Sequence, residues 1–179
     1  MTSHILITGL PGVGKTTLIR ELAKRLAEYR PAGFYTEEIR DERGIREGFR
    51  LVTLCVHELI LSRVRHPGPY RVGRYGVDVE GFECLVEEWN LRDSPAPLII
   101  IDESAKMECF SMRFIDNVML LLGGPRTLVA TIALKGEGFI KQVKGRPDYR
   151  LVTITRENRD RLLNELASEL QGKLQGRAC

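Results

Sequence analysis

The sequence predicts an α/β fold: a mostly parallel central sheet with helices on both faces and an antiparallel hairpin added to it. Three observations lead there. Short apolar runs alternate with segments of helical periodicity, the pattern of strand–helix–strand units. A glycine-rich stretch, "GLPGVGKTT" (9–17), separates the first run from the first helical segment. A second run, "LIII" (98–101), is continuously apolar and ends on Asp102-Glu103, as strands buried on both faces do.

Residues 4–8 read as the first strand, and the glycine loop follows. Over 16–29, Leu18, Ile19, Leu22, Ala23 and Leu26 fall on one helical face. Residues 32–40 and 46–54 are strand-like and flank "RDERG", whose Asp and Gly favour a turn, so a hairpin is expected. "VEGFECLVEEWNL" (79–91) has helical spacing, and another helix is expected over about 110–122. "TLVATI" (127–132) and "RLVTI" (150–154) read as strands. Thr155 is placed to cap a last helix, with Leu162, Leu163, Leu166 and Leu170 as its apolar stripe.

At 179 residues the chain suits one well-buried core, and a single domain over 1–179 is expected. Apolar residues make up 43% and charged residues 28%, ordinary values that argue against wholesale disorder. No apolar run approaches the roughly 20 residues of a membrane span. Met1-Thr2-Ser3-His4 leads straight into a strand without a basic leader, so a soluble, cytoplasmic protein with no membrane partner is expected. A net charge of +3 does not argue for nucleic acid, and 7% aromatics offer little for base stacking. Arg63 to Arg74, "RVRHPGPYRVGR", reads as a solvated loop held open by Pro67 and Pro69, or as a basic rim that attracts a polyanion. Cys55, Cys84, Cys109 and Cys179 lack CxxC spacing, so neither zinc nor a disulfide framework is expected, and they read as buried or incidental thiols.

The chemistry is concentrated in two places. "GLPGVGKT" fits G-x-x-x-x-G-K-[ST] at Gly9, Gly14, Lys15 and Thr16. Glycines let the backbone curl around phosphate oxygens, and the following helix N-terminus adds unpaired N–H donors and partial positive charge. Lys15 is the expected point charge on the β- and γ-phosphates, and the Thr16 hydroxyl an expected Mg²⁺ ligand. Asp102, at the end of the buried run, is the expected second holder of Mg²⁺. Glu103 beside it suits proton abstraction from an attacking water, which favours hydrolysis over transfer to another acceptor.

Beyond those two places, "GFYTEEIR" (33–40), "GFRLVTL" (48–54), "VGRYGVDVEGFE" (72–83), "IIIDESAKMECFS" (99–111) and "TRENRDRLL" (155–163) complete a resemblance over nearly the whole chain. It resembles the small, broad-specificity P-loop nucleoside-triphosphatases of thermophiles and vertebrates, the latter called cancer-related nucleoside-triphosphatase. The resemblance implies a RecA-like α/β fold and Mg²⁺-dependent hydrolysis of ATP, GTP, CTP and UTP to diphosphate and phosphate. It implies a phosphate-binding segment of Gly9, Leu10, Pro11, Gly12, Val13, Gly14, Lys15 and Thr16, adjoined by Thr17. It also implies a second nucleotide contact along Ile99, Ile100, Ile101, Asp102, Glu103, Ser104, Ala105 and Lys106. Lys106 joins Lys15 and Glu103 as an expected catalytic residue; Lys106 and Glu108 read either as stabilisers of transition-state charge or as a salt-bridged helix entry.

Two positions depart from the family pattern. Ser104-Ala105 stand where the family reads Ile-Gly, and an α-region backbone is expected there, because a positive φ at Ala105 costs about 1 kcal/mol or more. "CVHELI" (55–60) lacks the glycines common at that turn. Tyr35, Glu37 and Glu38 read either as nucleotide neighbours or as packing residues, and Arg113, Arg146 and Arg159 as candidate cations for the transition state. The rival readings are a small-molecule or nucleotide kinase, with 63–74 as its lid, and a nucleic-acid-binding ATPase module. Nucleoside triphosphates are the expected partners, nucleic acid is not, and a monomer is expected.

Overall fold

A computed structural model describes residues 4–55, 57–91, 93–102 and 107–176. In chain order it contains β1 (His4–Thr8), α1 (Lys15–Arg25), β2 (Ala32–Arg40), β3 (Arg46–Thr53), β4 (Glu58–Arg63), β5 (Arg71–Val72) and β6 (Tyr75–Val77). There follow α2 (Val79–Trp89), β7 (Leu98–Ile101), α3 (Met112–Gly123), β8 (Thr127–Thr131), α4 (Phe139–Lys144), β9 (Tyr149–Thr153) and α5 (Arg159–Gln175). The described strands form one nine-stranded sheet in the order β5-β6-β4-β3-β2-β7-β8-β1-β9. Its β2-β7-β8-β1-β9 half is parallel. The rest is antiparallel.

Alternation along each central strand divides its side chains between two cores. Ile5, Ile7, Leu98, Ile100 and Val129 pack under α1 and α5, against Leu18, Leu22, Leu166 and Leu170. Leu6, Ile99, Ile101, Leu128 and Ala130 face the other way, toward α2, α3 and α4. That is why β7 is apolar throughout and β1 and β8 are apolar at their three central positions. Full burial of each such side chain is worth about 1.5–3 kcal/mol at most. Phe34 anchors β2 in the second core, stacked on Trp89 at 5.1 Å and tilted against Phe114 at 5.9 Å.

The antiparallel part is larger than the expected hairpin. The β2–β3 hairpin is present, closed by Asp41, whose carboxylate accepts from Arg43 N at 3.0 Å and Ile45 N at 2.7 Å. Beyond it lie β4, β5 and β6. Thr53 closes the turn into β4: its Oγ1 accepts from His57 N at 2.7 Å, so a hydroxyl supplies what the missing glycines would have eased. The stretch 63–74 is partly strand rather than loop, and its Arg74 lies over Tyr75 while donating to the Arg46 carbonyl. Strands of two and three residues carry no readable alternation. The six-residue α4 is likewise too short for a helical period to register.

Helix ends correct the reading in small ways. α1 stops at Arg25, and a 3-10 turn over Ala27–Tyr29 completes the segment. Asp78 caps α2 by accepting from Gly81 N at 2.9 Å. Ser111 caps α3 by accepting from Phe114 N at 3.1 Å. Thr155 does not cap α5, which begins at Arg159. Its Oγ1 accepts from Asn158 N, and Asn158 Oδ1 accepts from Thr155 N, so the pair closes the turn before the helix. Cys55 and Cys84 are exposed, whereas Cys109 is half-buried and packs against the second core. No helix among the described residues is long and apolar enough to cross a membrane.

Gly33 shows how closely β2 approaches β7. It is registered with Ile100 at φ +133°, and a Cβ there would lie 1.8 Å from the Ile100 carbonyl oxygen. Gly33→Ala is expected to lower stability by about 3 kcal/mol or more, through backbone strain and forced strand separation. The shift of the urea unfolding midpoint measures this; a change within about 0.5 kcal/mol would mean that β2 and β7 do not pair so tightly.

Candidate functional site

The loop after β1 and the residue after β7 both lie at the carboxyl end of the parallel strands, where such sheets bind ligands. Gly14 is the N-cap of α1 at φ 98°, a left-handed conformation that a side chain resists. Among the described residues no side chain caps α1, and its first turn contains no acidic residue. Its terminal N–H donors and partial positive charge are therefore unanswered from within the helix. Leu10, Pro11, Gly12 and Thr17 are exposed along the loop, whereas Val13 is buried in the α1–α5 core and pins the loop from beneath.

Lys15 folds back across this loop. Its Nζ donates to Gly9 O at 3.0 Å and Leu10 O at 3.1 Å. Burial pushes its pKa down, and the nearby Asp102 charge opposes that shift.

Asp102 is buried, and its backbone N–H extends the β2–β7 pairing by donating to Phe34 O at 2.9 Å. Three hydroxyls donate to its carboxylate. Thr16 Oγ1 lies 2.5 Å from Oδ2, Thr131 Oγ1 2.8 Å from Oδ1, and Thr36 Oγ1 3.5 Å from Oδ2. Burial pushes the carboxyl pKa up, and the hydrogen bonds from Thr16 and Thr131 pull it back. Four elements thus converge on one carboxylate: α1, β2, β7 and β8. Thr36 and Thr131 were not singled out by the sequence, since a threonine within a strand is an ordinary β-former.

Lys15, Thr16 and Asp102 are therefore together. Ile99, Ile100 and Ile101 spend their side chains on the two cores, and they bear on the site by setting where Asp102 emerges. Glu103, Ser104, Ala105 and Lys106 lie outside the described residues. Glu108 is fully buried at the start of a 3-10 turn over Glu108–Phe110. Glu37 is paired with Arg20 and Arg50, and Glu38 with Arg40 and Arg46. Tyr35 lies under the Arg20 guanidinium at 5.0 Å, so all three of these β2 residues belong to packing and surface ion pairs. Among the arginines, Arg113 ties α3 to Glu87 of α2, and Arg146 pairs with Asp148 just before β9, at the opposite end of the sheet. Arg159 reaches the glycine loop, lying against Gly14.

The family model described as NTPase matches residues 4–167. The chain belongs to the NTPase family. Nucleoside-triphosphatase THEP1 of Thermotoga sp. (strain RQ2) is 42% identical over 168 residues, spanning 93% of this chain and 95% of the relative. The human cancer-related nucleoside-triphosphatase is 38% identical, spanning 96% of this chain and 98% of its own. Among solved structures, THEP1 from the hyperthermophile Aquifex aeolicus superposes with a TM-score of 0.82 at 39% identity, over 93% of this chain and 98% of that one. Within the NTPase family, then, this chain has the P-loop α/β fold, with the glycine loop and Asp102 facing each other at the strand ends.

Thr131→Val tests the hydroxyl cage. The substitution keeps the volume and removes the donor to Asp102 Oδ1, and losing a hydrogen bond to a charged group costs about 1.5–3 kcal/mol. Chemical denaturation should show that loss. An unchanged midpoint would mean that Thr131 does not hold the carboxylate.

Proposed function

We propose that this member of the NTPase family is a Mg²⁺-dependent nucleoside-triphosphatase that hydrolyses ATP, GTP, CTP and UTP to the diphosphate and phosphate. As an NTPase-family member the chain is a hydrolase acting on nucleoside triphosphates, in keeping with the names of its relatives. The observation that carries the finer reading is the 2.5 Å contact between Thr16 Oγ1 and Asp102 Oδ2. It puts a hydroxyl and a carboxylate oxygen at one point, beside a helix end that awaits anions. Mg²⁺ takes oxygen ligands, commonly one or two from protein with the rest from phosphates and water, and this pair fits that need. Bound there, the ion would neutralise charge on the β- and γ-phosphate oxygens.

In this reading the backbone from Gly9 to Thr16 cradles the phosphate chain, and Lys15 exchanges its contacts with Gly9 O and Leu10 O for phosphate oxygens. Glu103, next in the chain after Asp102, orients the attacking water and takes its proton. Lys106 stabilises the charge that develops on the transferring phosphoryl group. None of these contacts reads a base edge, which supports breadth of substrate.

Lys15→Ala should lower turnover about 10²–10³-fold with the fold intact. Glu103→Gln should keep nucleotide affinity while single-turnover hydrolysis falls about 10²–10⁴-fold. Asp102→Asn, by contrast, should raise the Mg²⁺ concentration required and slow hydrolysis together. Wild-type hydrolysis by Glu103→Gln would remove the water-activation role and turn attention to acceptor-dependent phosphoryl transfer.

Across ATP, GTP, CTP and UTP, kcat/KM should fall within about two orders of magnitude, under ~3 kcal/mol of discrimination. Phosphate release from all four checks this, and one nucleotide favoured more than ~10⁴-fold would overturn it.

A further inference from the structure

Arg159 occupies an electrostatically costly position. It is the first residue of α5, and its Cδ and Nη1 lie 3.0 Å from where a Cβ on Gly14 would be. Gly14 is itself the N-cap of α1. The guanidinium therefore sits beside two helix N-termini, whose partial positive charges disfavour a cation. Its ion pair with the neighbouring Asp160, 3.2 Å from Nε to Oδ1, offsets little of this, because the Asp160 side chain is 88% exposed. An anion on the loop would reverse the balance.

The junction that presents Arg159 is firmly held. Ile154 N donates to Thr8 O at 2.8 Å, tying the end of β9 to the end of β1. Asn158 Nδ2 donates to Thr153 O at 3.0 Å, in addition to the reciprocal Thr155–Asn158 bonds. Gly9 backs directly onto Ile154, with room for no side chain between them.

Topology fixes which end of a bound nucleotide this guanidinium meets. β1 carries the loop, and in the sheet order β7-β8-β1-β9 the Thr16–Asp102 pair lies toward β7 whereas Arg159 lies toward β9. Under the nucleoside-triphosphatase reading, on which this inference rests, the β- and γ-phosphates lie on the Asp102 flank. The remainder of the nucleotide runs along the other flank. We infer that Arg159 binds the α-phosphate, gripping the part of the substrate that departs as the diphosphate. A guanidinium fork matches non-bridging phosphate oxygens and reads no base edge. Arg159 is in this view an affinity residue for both substrate and product, with no hand in phosphoryl cleavage.

The test uses Arg159→Met, which keeps the stem that packs on Gly14 and removes the charge, and Arg159→Lys, which restores charge without the fork. The probes are ADP, UDP and the non-hydrolysable β,γ-imido analogues of ATP and UTP, titrated with Mg²⁺ present. Arg159→Met is expected to weaken all four by a similar factor of about 10–100, the usual worth of a charge-assisted hydrogen bond. Single-turnover hydrolysis at saturating ATP should stay within about 3-fold of wild type, and Arg159→Lys should recover much of the lost affinity. A large fall in the hydrolysis rate with diphosphate affinity unchanged would place Arg159 at the γ-phosphate and overturn the inference. So would unchanged affinities, or a loss confined to the adenine or the uracil series. Failure of the wild-type protein to bind any of the probes would instead overturn the nucleoside-triphosphatase reading itself.

Discussion

A carboxylate withdrawn from water at the end of a buried strand is the constraint from which the site follows. Asp102 must find hydrogen-bond donors where it emerges, and hydroxyls from α1, β2 and β8 supply them. A buried acceptor without donors is destabilising, so these hydroxyls fix the relative positions of the elements that bear them. The glycine loop is consequently held toward β7 by Thr16, independently of what the loop binds. Pre-organisation of this kind means that a ligand meets a site whose geometry the protein has already stabilised.

The loop is braced on its other flank as well. Val13 is sunk into the α1–α5 core, Gly9 backs onto Ile154, and Arg159 covers Gly14. The two flanks are chemically unlike, one with a buried carboxylate and the other with a half-exposed guanidinium. A phosphate chain laid between them is polarised along its length, so the loop has a direction even though its backbone donors are chemically alike.

How much of this was legible in the sequence depends on the length scale of the signal. Long elements with clear periodicity, such as α1 and α5, and continuously apolar strands, such as β7, could be read directly, because burial imposes a repeating pattern on them. β5, β6 and α4 could not, since two, three and six residues are too few to repeat anything. In the site, Lys15, Thr16 and Asp102 were legible because their spacing from glycines and from a strand end is itself chemical information. Thr36 and Thr131 were not, because what distinguishes them is a neighbour far away in the chain. Arg159 falls between the two cases: it was one of three candidate arginines until the fold took Arg113 and Arg146 elsewhere.

The pairing of β1 has a consequence for how the chain is made. The strand that carries the loop is made well before its partners β8 and β9, with Ile5 opposite Val129 and His4 opposite Tyr149. At synthesis rates of about 5–20 residues per second, on the order of ten seconds separates β1 from its last partner. Through that interval the apolar run Ile5-Leu6-Ile7 waits unpaired, and closing so large a loop must precede any reward from sheet contacts. The support that Ile154 and Arg159 give the loop is absent until β9 and α5 have been made. An early-made segment thus completes its pairing late, a demand that falls on the nascent chain as well as on the finished fold.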